Sequence, residues 1–168
     1  MKHKSKRGFS LIELMVTIAL LSLIVTLTVI NVSFLNRGLV RSELNKLFAA
    51  CMYLQRCAMC SGQHEQLVFD VQHNSYTFDG RTEKLASHVQ FGTISGAKGP
   101  PSAPRKIISS PCTFARNIIT FSPDGIISSG TVYLTDSEKQ VLYALSSGIA
   151  SVSYLRKYYY DDKWKKLT

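Results

Sequence analysis

Residues 9–30 read FSLIELMVTIALLSLIVTLTVI, an apolar run with one charge, Glu13. A helix rises 1.5 Å per residue, so about 20 residues cross a hydrocarbon core of roughly 30 Å, and this run is long enough. A secretory signal peptide also begins with cations and an apolar run. Its apolar part, however, is about 7–15 residues and ends at a small-residue cleavage site, and neither feature fits here. Lys2, Lys4, Lys6 and Arg7 precede the run and few charges follow it closely. That asymmetry predicts an N-terminus on the cytoplasmic side and the bulk of the chain outside. The expectation is a single-pass membrane chain.

The remaining composition agrees with an anchor followed by one domain. The chain has 168 residues, 45% of them apolar, and a formal net charge of +9. Mean hydropathy is close to zero, at +0.04, which excludes a disordered polar chain. A pI near 9.5 at first suggests an anionic partner. Four of the 20 Lys and Arg lie in the first eight residues, and without them 16 cations face 11 acids. What is left is only mildly basic.

Glu13 is the anomaly of the apolar run. A carboxylate inside a membrane helix costs on the order of 2.5–3.5 kcal/mol unless it finds a partner. Lys6-Arg7-Gly8-Phe9-Ser10-Leu11-Ile12-Glu13-Leu14 resembles the class III leader of type IV pilins and type II secretion pseudopilins: a short basic peptide ending in Gly, then Phe, with Glu five positions after the Gly. The resemblance implies cleavage between Gly8 and Phe9 by a prepilin peptidase and N-methylation at Phe9. It also implies pairing of Glu13 with the Phe9 amine of a neighbouring subunit in a helical filament. The physics is consistent with this. Cleavage removes four cations and creates one ammonium group, and a paired charge costs far less in hydrocarbon than a lone one. Gly8, lacking a side chain, lets a protease approach the backbone closely.

No proline occurs before Pro100, and between residues 9 and 61 the one glycine is Gly38. Leu35, Leu39, Leu44, Leu47, Phe48, Cys51 and Leu54 recur mostly at three- and four-residue steps, the stripe of an amphipathic helix. Arg37, Arg41, Glu43, Lys46 and Arg56 are expected on its other faces. A helix over 9–61 would be about 80 Å long. Its half at 9–30 is expected in the membrane and its half at 31–62 on a globular domain at 63–168, with residues 1–8 as a cleaved leader. Many major pilins carry a proline where Ile30 stands here, which leans away from a major pilin. Gly38 is the expected soft point.

Beyond Gly62 the period changes to two. Residues 66–71, 75–79, 85–91, 117–121, 131–135, 141–146 and 149–160 read as strands separated by polar turns, with a Gly- and Pro-rich loop over 92–111. Ser122-Pro123-Asp124-Gly125 is a strong turn signal, because Pro presets one φ and Gly accepts a positive one. The expected fold class is therefore α+β, with the long N-terminal helix packed on an antiparallel β domain, and the resemblance implies that this is a pilin fold. The stretch from Ile119 through Phe121, Pro123, Asp124 and Gly125 to Gly130, Thr131 and Leu134 resembles the hairpin of the GspH/FimT family, the minor pseudopilins of type II secretion and their type IV pilus relatives.

Other chemistry is sparse. Cys57-Ala58-Met59-Cys60, with His64 four residues on, is half a metal site without a second half, so no metal and no cofactor is expected. A disulfide from Cys112 to Cys51, Cys57 or Cys60 and buried free thiols are both open. No nucleophile, phosphate-binding or zinc-protease motif is present, and no catalytic residue is expected. Arg156, Lys157, Lys163, Lys165 and Lys166 alternate with Tyr158, Tyr159, Tyr160 and Trp164, a composition that suits nucleic-acid backbones and bases. DNA-binding relatives typically carry a G-R-x-R pattern, and the matching turn here is Gly148-Ile149-Ala150-Ser151, without arginines. A solvated basic edge is the plainer reading. The resemblance thus implies a structural subunit of the type II secretion pseudopilus, with other pseudopilins, the peptidase and the inner membrane as partners and its domain in the periplasm. The alternative is a minor type IV pilin for pilus priming or DNA uptake.

Overall fold

A computed structural model describes residues 10–99, 103, 106–148 and 154–167, with the side chains of 27–35 outside the description. The chain divides into two compact units, Met1–Leu35 and Asn36–Thr168.

In the first unit, helix α1 (Leu11–Ser61) begins. Its large apolar side chains from Leu11 to Val25 are all more than half exposed, on every face. The segment's hydroxyls turn inward to its own backbone: Thr17 donates to the Leu14 carbonyl (2.8 Å), Ser22 to Ile18 (2.7 Å) and Thr26 to Ser22 (2.8 Å). Among the described residues no helix is long and apolar enough to cross a membrane. The expected span at 9–30 has described side chains only as far as residue 26. Residues 11–26 rise about 24 Å, short of a hydrocarbon core of roughly 30 Å.

In the second unit the same helix carries its buried stripe. Val40, Leu44, Leu47, Cys51, Leu54 and Ala58 are at most 1% exposed, at alternating steps of four and three that keep one face inward. Two expectations are corrected. Leu39 is exposed and Val40 takes the inner position, because the step back from Leu44 that stays on the stripe is four, not five. Glu43, expected on an outer face, is buried between Val40 and Leu47 on that stripe. Its carboxylate accepts a hydrogen bond from Lys46 Nζ at 2.8 Å, which offsets part of the cost of burying the charge.

The strands are β1 (Glu65–Asp70), β2 (Ser75–Phe78), β3 (Arg81–Lys84), β4 (Val89–Phe91), β5 (Ile118–Phe121), β6 (Gly130–Asp136), β7 (Leu142–Gly148), β8 (Tyr154–Asp161) and β9 (Lys163–Lys166). They form two antiparallel sheets, in the orders β3-β2-β1-β5 and β4-β6-β7-β8-β9. Alternation places Leu67 and Phe69 of β1 in the core while Gln66, Val68 and Asp70 face out. Of the strand expected over 85–91 only Val89–Phe91 forms, as β4, and a strand that was not expected, β3, precedes it at Arg81–Lys84. The strand expected over 149–160 is described only from Tyr154, and a further strand, β9, follows it.

The turn at Ser122–Gly125 forms as expected and is the crossover between the sheets. Gly125 has φ +82°, its N–H donates to the Ser122 carbonyl (2.9 Å), and Ser122 N donates to Ile126 O (2.8 Å). The helix holds this turn through Gln55 Nε2, which donates to Gly125 O at 3.0 Å. At Gly130, where β6 enters the second sheet, an added Cβ would lie 2.4 Å from Phe114 Cδ1. Phe114 is buried and stacks on Phe69, centroid to centroid 6.1 Å. The Gly-Thr of the hairpin therefore has a steric cause.

Candidate functional site

Two regions carry candidate residues, one in each unit. In the first, Gly8 and Phe9 lie outside the described residues. Glu13 sits in the first turn of α1 with its side chain exposed, and its Oε2 accepts a long hydrogen bond from Ser10 N at 3.4 Å. Ser10 is the residue before the helix and Glu13 is the third residue within it, which is the S-x-x-E capping box. That signal stands in the sequence as Ser10-Leu11-Ile12-Glu13 and gives Glu13 a local role beside the expected pairing. A carboxylate in the first turn also favours the positive end of the helix dipole.

The second region is the basic C-terminal hairpin. Strand alternation divides its cations between opposite faces of the sheet. Lys157, on the face turned to the helix, donates to Asn45 Oδ1 (2.9 Å) and lies 4.9 Å above the centre of the Phe48 ring. Lys165, on the same face, pairs with Asp161 at 2.6 Å and lies over Tyr159. The Asp161 carboxylate is thereby held below its ordinary range, first by the hydrogen bond from Lys165 and then by its charge. Lys163 shares this parity. Arg156 and Lys166 fall on the opposite face, where Ser146↔Arg156 and Tyr158↔Lys166 are the paired positions. The Arg156 guanidinium lies 4.0 Å above the centre of the Tyr154 ring. The five cations expected to act together are therefore not one patch.

The cysteines are free thiols. Burial pushes Cys51 up to about 12 and Cys112 up to about 11, so neither is a nucleophile near neutral pH. Cys60 is exposed and Cys57 partly so. Among the described residues no three His, Cys, Asp or Glu side chains gather as a metal site.

Residues 3–29 match the family described as the prokaryotic N-terminal methylation motif. The match covers the leader and the apolar start of the helix and supports a type IV pilin-like reading, of which processing by a prepilin peptidase and assembly with other pilin-like subunits are the implications. No curated protein and no solved structure matches the chain.

Proposed function

We propose that this chain is a minor pseudopilin of the GspH/FimT type, a non-catalytic structural subunit of the type II secretion pseudopilus. The observation that carries the proposal is the match over residues 3–29, in which Gly8, Phe9 and Glu13 stand in register. In this reading, residues 9–30 anchor the chain in the bacterial inner membrane with the N-terminus cytoplasmic and residues 63–168 periplasmic. The all-round apolar surface of residues 11–26, with its hydroxyls bonded to its own backbone, supports a segment that passes from lipid into contact with like helices. After cleavage, Glu13 neutralises the Phe9 ammonium of a neighbour and sets the register of the filament. The hairpin built around Phe121, Gly125 and Gly130 favours the GspH/FimT type over other pseudopilins.

The test is deletion of the gene and comparison of secreted with periplasmic proteins. Folded proteins trapped in the periplasm support the pseudopilus. Unchanged secretion with lost twitching or DNA uptake moves the chain to the type IV pilus. Within either filament, Glu13→Ala is expected to leave cleavage intact and abolish incorporation, and normal incorporation of that variant would refute the pairing.

A further inference from the structure

The cations of the tail divide between two faces of the sheet, but those at one end meet cations from the helix. Strand β8 runs back along the helical stripe of the second unit. Lys157 reaches Asn45 and Phe48. Four residues on, Asp161, held down chiefly by the Lys165 hydrogen bond, also lies within the field of Arg37. The lengths agree, since the eight residues from Arg37 to Asn45 rise about 12 Å as helix and four residues of strand span about 13 Å. Arg41, one turn from Arg37, acts with it on the Tyr143 hydroxyl, which burial raises and these two charges lower again. The tip of the β8–β9 hairpin therefore stands beside Arg37, at the start of the second unit.

Three observations define what this end of the domain would meet. The first is charge. Arg37, Arg41, Lys163 and Lys165 are exposed there, against the carboxylates of Asp161 and Asp162. Asp161 is taken by Lys165, while Arg37, Arg41 and Lys163 have no ion-pair partner among the described residues. The β6–β7 turn, which adjoins the tip through the pair Leu142↔Tyr160, adds one charge of each sign, Glu138 and Lys139. The second is the aromatic residues of the tip. Tyr159 on the helix side, and Tyr160 and Trp164 on the outer face turned away from the helix, are all partly exposed. Tyr159 already packs on Tyr143 and Lys165, and Trp164 on Tyr160 and Tyr133, 5.1 and 5.9 Å between centroids. Recognition of bases depends on rings free to stack, and these are engaged. Partly exposed Tyr and Trp beside lysines are instead the composition of a membrane–water interface. The third is reach. Arg37 follows Ile30, the end of the apolar run, by seven residues, and seven residues of chain span at most about 25 Å in any conformation.

We propose that the tip of the β8–β9 hairpin, with Arg37 and Arg41, docks on the surface of the bilayer that holds residues 9–30, through the anionic headgroups of its phospholipids. The proposal rests on the membrane-anchored reading given above. An anchor keeps the domain at the surface permanently, so docking is an intramolecular step and a modest attraction is enough to decide it. Each Lys or Arg near an anionic surface adds to that attraction, which fades over a Debye length of about 8–10 Å.

The experiment places the full chain in lipid nanodiscs, either of phosphatidylcholine alone or with about a third of phosphatidylglycerol. Both carry a trace of lipid with a nitroxide on its headgroup. The readout is quenching of Trp164, the only tryptophan, which lies between Lys163 and Lys165. At least twofold stronger quenching is expected in the anionic discs. It should fall to the neutral level in about 0.5 M salt, and equally in the triple variant Arg37→Gln, Arg41→Gln, Lys163→Gln, whose cations hold no ion pair that the fold would miss. Arg156→Gln, towards the other end of β8, is expected to leave quenching unchanged. Equal quenching in the two discs, quenching that survives salt, or equal losses in Arg156→Gln and the triple variant overturns the proposal and leaves the anchor standing. Failure of the chain to enter either disc overturns the anchored reading and the proposal with it. Release of the quench by a single-stranded DNA oligonucleotide at micromolar concentration overturns it in favour of nucleic acid.

Discussion

Gly130→Ala tests whether the Gly-Thr of the crossover hairpin is there for a steric reason. The added methyl would meet Phe114 at 2.4 Å from Cδ1, 2.6 Å from Cγ and 2.8 Å from Cε1. Carbon atoms prefer about 3.5–4.0 Å, so the ring must withdraw by roughly 1 Å or the start of β6 must move. The ring has little room, because Phe114 is 3% exposed and stacks on Phe69, which in turn meets Phe91 edge-on at 5.5 Å. Overpacking of this kind costs about 1–3 kcal/mol. With three ring atoms struck, the upper part of that range, about 2–3 kcal/mol, is expected. In a domain of the size of Asn36–Thr168 this lowers Tm by roughly 6–12 °C. The assay is urea and thermal unfolding of the full chain in nonionic detergent, followed by Trp164 fluorescence. Repeating the substitution in a Phe114→Ala background isolates the cause. Phe114→Ala alone is costly, but adding Gly130→Ala to it then costs less than about 0.5 kcal/mol, since the obstructing ring is gone. A Gly130→Ala chain as stable as the parent, or the same loss in both backgrounds, would sink the steric account.

Asp136 lies buried at the end of β6, and its Oδ1 accepts the N–H groups of Gln140 (2.8 Å) and Val141 (3.0 Å). Asp136→Ala leaves both donors without that oxygen and is expected to cost about 1.5–3 kcal/mol. Asp136→Asn keeps an acceptor there and should lose less than half as much in the same unfolding assay. Alkaline stability follows from the buried acids. Cys51 and Cys112, raised by burial from 9.0 to about 12 and about 11, and Tyr76 and Tyr133, raised from 10.0 to about 12, hold their protons longer folded than unfolded. The stability they contribute is full below pH 9 and is lost as pH rises through the folded values. A Tm that stays flat to pH 8.5 and then falls progressively towards pH 12 is expected, and a flat profile across that window contradicts the burial of these groups. Iodoacetamide at pH 8 should label Cys60 first, then Cys57, and reach Cys51 and Cys112 only on unfolding, as peptide mapping would show.

The helix was legible because its information is local. Leu44, Leu47, Cys51 and Leu54 repeat at the helical period, and no proline or glycine between them breaks it. The turn at Ser122–Gly125 was legible for the same reason. The division into two sheets was not, because it rests on pairing across about fifty residues. Strand β5 lies beside β1 through Leu67↔Ile119 and Gln66↔Thr120, and alternation within either strand is silent about its neighbour. Burial of Glu43 was missed because composition assigns a carboxylate to the outside. Only the stripe position, three residues after Val40 and four before Leu47, gives it away. The cations at 156–166 show a signal present but unused: period two alone separates Arg156 from Lys157.

That separation bears on what the basic tail is for. A run of cations reads as one electrostatic surface only while it is a string of letters. Folded, Lys157 is engaged by Asn45 and Phe48 and Lys165 by Asp161. Arg156 lines a cavity with Lys106, which arrives from a loop some fifty residues earlier. The aromatic residues of the tail hold that loop. Trp164 Nε1 donates to the carbonyls of Lys98 and Gly99, and Lys98 N donates to the Tyr160 hydroxyl at 3.3 Å. Strand β9 thus has two roles. Trp164 fixes the loop region that leads to the cavity wall, while Lys163, Lys165 and Lys166 keep the open edge of the sheet from pairing with another strand. The cationic character of the outer face is a product of tertiary structure, and a cation count over the last thirteen residues does not measure it.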